Sequence, residues 1–325
     1  MMVARADLPP AMRLDGPFPI GRADIAPLNV LFSDTFTERY RRDGLVGVRV
    51  PPLNPMIWQY AVADAGEGAM LWRDARGAIA AFNIAHRSGV EGWMGPLAVR
   101  DDCQGSGQGK NIVNAGLDLL RRSGCSVIGL ETMPRTMDNI GFYSGLGFIP
   151  ARLTVTLTLD AVTSPRAPRL LSSLRSTARD DAVRECAALV HATLPGFDYT
   201  REIELTHELS LGDTLLMYEG DTLAGFALCH AAPLVEGRSR EELRVLKAVV
   251  RDQATFEQMT VQLADLARRA ATARVAIRLQ GEYSALYSRL VGFGARVRWT
   301  DLRMVLAGYE ERPPKFGIAL SNWEI

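Results

Sequence analysis

Three glycines at alternate positions, closed by a lysine, form the part of this sequence best suited to chemistry. They lie in the stretch Gln104-Gly105-Ser106-Gly107-Gln108-Gly109-Lys110, just after the apolar run 93–99. Glycines in this pattern let backbone amides come close to a ligand, because no Cβ stands in the way. If a helix begins here, its first amides and its dipole attract an anion. The pattern predicts an anion cradle, with a flexible turn as the alternative.

Two common nucleotide loops do not fit this stretch. A Walker A loop would need a glycine at Gln104 and a hydroxyl side chain at Asn111. A dinucleotide fingerprint would need its last glycine at Lys110 or at Ile112, depending on the register. The pattern that does fit is Gln-x-x-Gly-x-Gly between a strand and a helix, beginning at Gln104.

The elements that must position this loop can be predicted from apolar periodicity and from turn residues. The predicted helices of the first half are 24–40, a short piece containing Trp58 and Tyr60, 111–122 and 140–146. The predicted strands are 69–72, 78–84, a strand ending at Val99, 126–132 and 153–159. Strands mixed with helices in this order indicate an α/β or α+β sheet protein.

The same order of elements recurs after a break at Ala161–Pro168. Here the predicted helices are 180–193 and 255–271, and the predicted strands are 214–218, 222–227, 243–250 and 275–280. Two short matches accompany the recurrence, AVRD with VVRD and FYSGLGF with LYSRLVGF. We therefore predict two duplicated domains, at 1–160 and 168–325, joined by a linker at 161–167. The tail 316–325 alternates like a strand; it is expected to close a sheet of the second domain or to reach the first.

The composition excludes several classes of protein. Lys plus Arg and Asp plus Glu number 37 each, so no basic field points to nucleic acid or to an anionic membrane. The four cysteines are isolated and form no metal-ligand pattern, so we expect reduced thiols and no bound metal. No run reaches the length of a membrane span or of a secretory signal. A cytoplasmic protein, monomeric or homodimeric, is expected.

The loop and one further stretch resemble motifs of the GNAT acyltransferase family. Residues 97–109 follow that family's strand-loop-helix motif for acyl-CoA, and Gly141–Pro150 (GFYSGLGFIP) resembles its tyrosine helix running into a Gly-Phe strand. The resemblance covers about 24–159, and the second half shares it without the glycine loop. It implies two tandem GNAT-like domains, each with a mixed, mostly antiparallel central sheet flanked by helices. The first domain would be intact and the second degenerate.

The same resemblance implies a set of residues for acyl-CoA. The strand before the loop would hold the pantetheine and face the thioester, and the loop would hold the pyrophosphate. The implied residues are Leu97, Ala98, Val99, Gln104, Gly105, Ser106, Gly107, Gln108, Gly109, Lys110, Thr136 and Tyr143. Thr136 stands where the family often has an asparagine, seven residues before the tyrosine, so the sequence departs from the pattern there.

Acyl transfer to an amine also needs groups that move protons. Tyr143 would be the general acid, because a phenol pKa of about 10 lies above that of a thiol. Glu131, near the end of its strand, and Glu91, opening the preceding strand, are the two candidates for the general base. Asp101 and Asp102 are interpreted as a turn pair. Trp58, Tyr60 and Trp93 are either acceptor-pocket residues or core.

Taken together, these features predict an N-acyltransferase that moves an acetyl or other short acyl group from acyl-CoA directly to an amine. The alternative is a non-catalytic acyl-CoA-binding or regulatory protein of the same fold. The acceptor is a small molecule or a peptide, and polyamine, aminoglycoside, amino acid, peptide N-terminus and lysine all remain open. Neither nucleic acid nor membrane is expected as a partner.

Overall fold

The computed structural model describes residues 13–323. The helices are α1 (Ile25–Arg42), α2 (Pro55–Ala65), α3 (Gln108–Arg122), α4 (Met137–Ser144), α5 (Ser176–Thr193), α6 (Thr200–Glu208), α7 (Gln253–Arg269) and α8 (Ser284–Gly292). The strands are β1 (Asp15–Pro19), β2 (Ala69–Arg73), β3 (Ile79–Ser88), β4 (Glu91–Val99), β5 (Val127–Thr132), β6 (Phe148–Asp160), β7 (Arg169–Leu170), β8 (Gly212–Glu219), β9 (Thr222–His230), β10 (Glu242–Val250), β11 (Arg274–Gln280), β12 (Arg296–Leu306) and β13 (Ile318–Ser321).

All thirteen strands belong to one sheet. Its order is β1-β2-β3-β4-β5-β12-β6-β11-β10-β9-β8-β7, and β13 pairs with β10. Only β4–β5 and β10–β11 pair in parallel; the other ladders are antiparallel. The predicted mixed α/β class, with a mostly antiparallel sheet flanked by helices, is confirmed.

The two halves exchange their last strands, which the sequence did not predict. Strand β12 of the second half lies between β5 and β6, and β6 of the first half pairs on its other side with β11. If each half kept its own last strand, β6 and β12 would each have an open edge, whereas the exchange pairs both strands on both sides. The halves therefore share one continuous sheet, and the predicted linker follows directly after β6.

Helices cover both faces of the first half because its strands alternate apolar side chains between the faces. Leu71 and Phe82 pack with α1 and α2, in a cluster that includes Phe32 and Trp58. Met70 and Ala81 belong to the cluster that contains Ile112 and Leu117 of α3. This second cluster also includes Met304 and Leu306 of β12. The core of the first half is therefore completed by a strand from the second.

The tail closes the sheet of the second half, one of the two positions predicted for it. The β10–β11 ladder ends at Val245↔Ile277, and β13 then pairs with β10 over Lys247–Val250. Asn322 continues into the gap, where its side chain accepts a hydrogen bond from Gln280 and donates one to the Arg278 carbonyl oxygen. The tail therefore fills the space where β10 and β11 part.

Candidate active site

The glycine loop connects β4 to α3, between a strand and a helix as the sequence predicted. Gly105 and Gly107 have φ of +73° and +82°, a region that favours glycine, and Gly107 caps α3. A Cβ at either position would meet no atom within 4 Å, so the space beside them is open. The loop is held from within, because Gln104 Nε2 donates to the Val99 carbonyl oxygen at 2.8 Å and Ser106 Oγ to that of Cys103 at 2.7 Å. Such a loop at a helix N-terminus, with open space beside its glycines, suits an anion.

Strands β4 and β5 part just before the loop. Their parallel ladder ends at Met94↔Leu130, and β4 carries an extra residue between Met94 and Leu97 in its register with β3. On the β5 side, residues 95–99 have no ladder partner within the described chain. The backbone of Leu97 and Val99 therefore borders a cleft between the two strands, where the Val99 carbonyl oxygen already accepts from Gln104.

Cations surround the loop, and most are already paired. Arg100 contacts Asp74 at 2.8 Å and Asp102 at 2.7 Å, and it lowers the pKa of both carboxyls. This fits the interpretation of Asp101 and Asp102 as a turn pair. Arg42 donates to Gln104 Oε1 at 3.0 Å, which brings α1 to the loop. Lys110 is exposed in the first turn of α3, with no ion pair among residues 13–323.

Tyr143 lies beside the loop, on α4. The Phe142 ring packs over Gly109, where a Cβ would lie 3.3 Å from Cζ, so α4 touches the first turn of α3. The Tyr143 ring packs edge-on against Phe148, with centroids 5.9 Å apart. Burial raises the pKa of Tyr143 to about 12, and its hydroxyl makes no hydrogen bond within the part of the chain described. The phenol is therefore protonated at neutral pH and free to donate.

Thr136 is buried and turned away from the loop. Its hydroxyl donates to Asp43 Oδ2 at 2.6 Å, and Arg135 donates to the Asp43 carbonyl oxygen at 2.6 Å. These contacts tie the start of α4 to the end of α1. Thr136 therefore helps to hold α4 against α1, whereas the family resemblance implied that it contacts the cofactor.

Glu131 lies at the mouth of the cleft but is fully engaged. Its carboxylate accepts from Thr154 Oγ1 at 2.5 Å, from Arg278 and from Arg303 Nη1 at 3.3 Å. Burial acts to raise the pKa of Glu131, but the two guanidiniums outweigh it and hold that pKa below its ordinary value. A general base works best with a pKa near neutrality, so this environment opposes that role.

Glu91 lies at the far end of β4. It is six residues from Leu97, which corresponds to about 20 Å along a strand. Its carboxylate accepts from Ser321 Oγ at 2.7 Å, and burial raises its pKa despite nearby Lys247. Glu91, the second candidate for the general base, therefore lies at the end of β4 away from the glycine loop.

The aromatic residues considered for an acceptor pocket lie in the core. Trp58 is fully buried and donates to Asn29 Oδ1 at 2.9 Å, and Tyr60 is 3% exposed. Trp93 stacks on Trp323 of the tail, with centroids 4.8 Å apart. Trp58 and Tyr60 lie on α2, which packs against the sheet, and Trp93 lies on β4 within the sheet.

Three residues near the cleft were missed by sequence reasoning, namely Tyr40, Trp299 and Asp301. Trp299 Nε1 donates to Asp301 Oδ1 at 3.0 Å, and the Trp299 ring stacks on Tyr40 with centroids 6.4 Å apart. Trp299 and Asp301 lie on β12, so only the strand exchange brings them to the first half. No local signal could have marked them.

Within residues 13–323, no group of three or more His, Cys, Asp or Glu side chains is placed to hold a metal ion. None of the helices in that same range is both long and apolar enough to cross a membrane.

Comparisons with known proteins agree with this geometry. Residues 33–148 match the model of the acetyltransferase (GNAT) family. A candidate acetyltransferase of Pyrococcus horikoshii shares the fold over 94% of this chain and 93% of its own, with TM-score 0.66 and 14% identity. A tandem GNAT protein from the clavulanic acid biosynthesis pathway aligns over 90% and 98%, with TM-score 0.57 and 11% identity.

The N-myristoyltransferase of Saccharomyces cerevisiae, solved with myristoyl-CoA, aligns over 92% of this chain and 86% of its own, with TM-score 0.60 and 12% identity. No curated protein is detectably similar in sequence. The matched family domain contains the glycine loop and Tyr143, and the fold extends over both halves. Residues 33–148 thus match the GNAT family model, and the chain as a whole shares the fold of these solved structures, a tandem GNAT protein among them.

Proposed function

We propose that this protein is an acyl-CoA N-acyltransferase that carries an acetyl or other short acyl group directly to an amine. The open glycine loop supports this proposal most strongly. It combines two left-handed glycines, a helix N-terminus without a capping side chain and an adjacent parted strand pair. Such a cradle suits the pyrophosphate of coenzyme A, with the pantetheine along residues 97–99 and Lys110 beside the phosphates.

The chemistry is assigned to Tyr143 and to the amides of β4. The amine nitrogen attacks the thioester carbon and loses a proton to water, the C–S bond breaks, and the sulfur receives a proton. Tyr143 would supply that proton, since it is protonated at neutral pH and its hydroxyl has no partner within the described residues. The amide of Leu97 would donate to the carbonyl oxygen as negative charge develops there.

The second half differs at both features that would hold acyl-CoA. Helix α7 is capped by Asp252, whose side chain accepts from the Thr255 amide at 2.8 Å and from its hydroxyl at 2.9 Å. In the first half, the edge of β4 that faces β5 lines the cleft. The corresponding edge of β10 is paired with β13. Both the helix amides and the strand edge are occupied, so we assign acyl-CoA to the first half alone.

The alternative is a non-catalytic acyl-CoA-binding protein, and the pairing of Glu131 with two arginines favours it. Acetyl-CoA binding without transfer across an amine panel would identify that alternative. Acetyl-CoA binding together with acetylation of at least one amine would support the enzyme.

Replacing Gly107 tests the binding site itself. Gly107→Glu places a carboxylate where the pyrophosphate is proposed, so calorimetry should detect no acetyl-CoA binding. The control is Gly220→Glu, since Gly220 also has positive φ (+59°) and open space but lies in the β8–β9 turn. Tight binding by Gly107→Glu, or equal loss in both variants, would refute the assignment of the loop.

A further inference from the structure

The cleft has a second wall, formed by β12 of the second half. Strand β5 ends at Thr132, which pairs with Leu302 of β12. The next residue of β12, Asp301, therefore lies beyond the end of β5. Counted along the strands from their paired residues, Leu97 of β4 is level with Asp301 to within about one residue. It lies on the other side of the space that opens where β4 and β5 part. In a regular sheet, two strand spacings of about 10 Å in total would separate these walls, and the parting of β4 from β5 widens the distance here.

The second wall presents a carboxylate next to an exposed aromatic ring. Asp301 accepts from Trp299 Nε1 at 3.0 Å and from Arg278 Nη2 at 2.9 Å. Trp299 remains 40% exposed, although it stacks on Tyr40 of α1. A large aromatic side chain left in solvent beside a cleft offers a flat apolar surface to a ligand.

The ion-paired groups around Asp301 carry more negative than positive charge. The connected carboxylates are Glu131, Asp301 and Glu311, and within residues 13–323 only Arg278 and Arg303 pair with them. The group thus carries one negative charge in excess. Burial raises the pKa of Asp301 even though Arg278 acts in the opposite sense, so a second cation would stabilise the charged carboxylate.

We propose that Asp301 binds the amino group of the acceptor, which arrives as an ammonium ion and loses a proton to water before it attacks, and that Trp299, backed by Tyr40, packs against its carbon skeleton. The acceptor is then a primary amine with an aromatic or similarly flat apolar group. The second half is part of the acceptor site, supplied through the exchanged strand. This inference rests on the proposed function, since it needs acyl-CoA to occupy the opposite wall.

Steady-state kinetics with acetyl-CoA and two amines test the proposal. The probes are 2-phenylethylamine and n-butylamine, which differ in the aromatic ring. Wild type should prefer 2-phenylethylamine roughly threefold to tenfold in kcat/KM, the range of one aromatic contact. Trp299→Ala should remove this preference. Asp301→Asn should raise KM roughly tenfold or more for both amines, because a charge-assisted hydrogen bond is lost.

Asp160→Asn is the matched control, since Asp160 is exposed at the end of β6 and forms no ion pair within residues 13–323. The Kd for acetyl-CoA should be equal in all variants, which also shows that they fold. The proposal is overturned if Asp301→Asn leaves KM unchanged, if Trp299→Ala keeps the preference, or if acetyl-CoA-loaded wild type acetylates other amines but not 2-phenylethylamine. Failure of wild type to bind acetyl-CoA would instead overturn the proposed function.

Discussion

Glu131 of β5 pairs with Arg303 of β12, directly across the exchanged strands, with Oε1 and Nη1 3.3 Å apart. The same carboxylate contacts Arg278. On β5 the parallel ladder of the first half begins at Val127, and on β11 that of the second half begins at Arg274. Glu131 and Arg278 each lie four residues further along, so they occupy equivalent places in the two halves. The halves are therefore joined at their centre by ion pairs between nearly buried groups, and the best carboxylate candidate for catalysis has become part of that joint.

We predict that Glu131→Gln destabilises the protein by about 1–3 kcal/mol, because charge-assisted hydrogen bonds to Arg278 and Arg303 are lost, although each guanidinium keeps a second carboxylate. The pKa of Glu131 is lowered in the folded chain, so its contribution is complete above its ordinary value of 4.5 and is lost as pH falls through the folded value. Urea unfolding between pH 3 and 7 would measure both effects. Asp160→Asn is the control. A variant as stable as wild type at pH 7 would contradict the ion-pair joint.

Tyr143→Phe should lower kcat by about 10²–10⁴-fold while leaving the Kd for acetyl-CoA unchanged, since only proton donation is lost. The control is Tyr309→Phe, because Tyr309 packs against the same apolar cluster. With a pKa of about 12, Tyr143 should cause no loss of activity on the alkaline side below about pH 11. Equal turnover numbers for wild type and Tyr143→Phe would exclude the general-acid role.

The strand exchange predicts that the halves cannot fold separately. A fragment ending at residue 160 lacks β12, so its core loses Met304 and Leu306 and the edge of β5 is exposed. We expect this fragment to aggregate, and we expect it to become soluble when residues 161–325 are co-expressed. Full-length protein should unfold in one transition, as followed by circular dichroism and tryptophan fluorescence. Two separate transitions would argue against the shared core.

Trp323→Ala should destabilise the protein by about 3–5 kcal/mol, the usual cost of truncating a buried tryptophan. The Trp323 ring stacks on Trp93 and also covers the buried Lys247, whose Nζ lies 3.7 Å from the ring centroid. Phe316→Ala provides the comparison, since Phe316 is 43% exposed. Chemical denaturation would measure the difference. Similar effects in both variants would mean that the tail does not hold the halves together through Trp323.

Much of the molecule follows from local sequence. The glycines at 105 and 107 specify left-handed backbone, and the apolar run before them specifies a strand, so the loop and its place before α3 could be predicted. Helix α3 begins three residues earlier than periodicity indicated, because the loop glycines enter its first turn. Strand β6 begins five residues earlier than predicted, since pairing with β12 extends it.

The sequence by itself determined the fold class, the tandem order of elements and the half that carries the glycine loop, because these depend on neighbours within a few residues. Tertiary structure alone decided which strands pair across the halves, because that choice is made between segments about 170 residues apart in the chain. It therefore decided the partners of Glu131 and the arrival of Asp301 at the second wall of the cleft. A carboxylate's role depends on the charges and burial around it, and here those come from the other half of the chain.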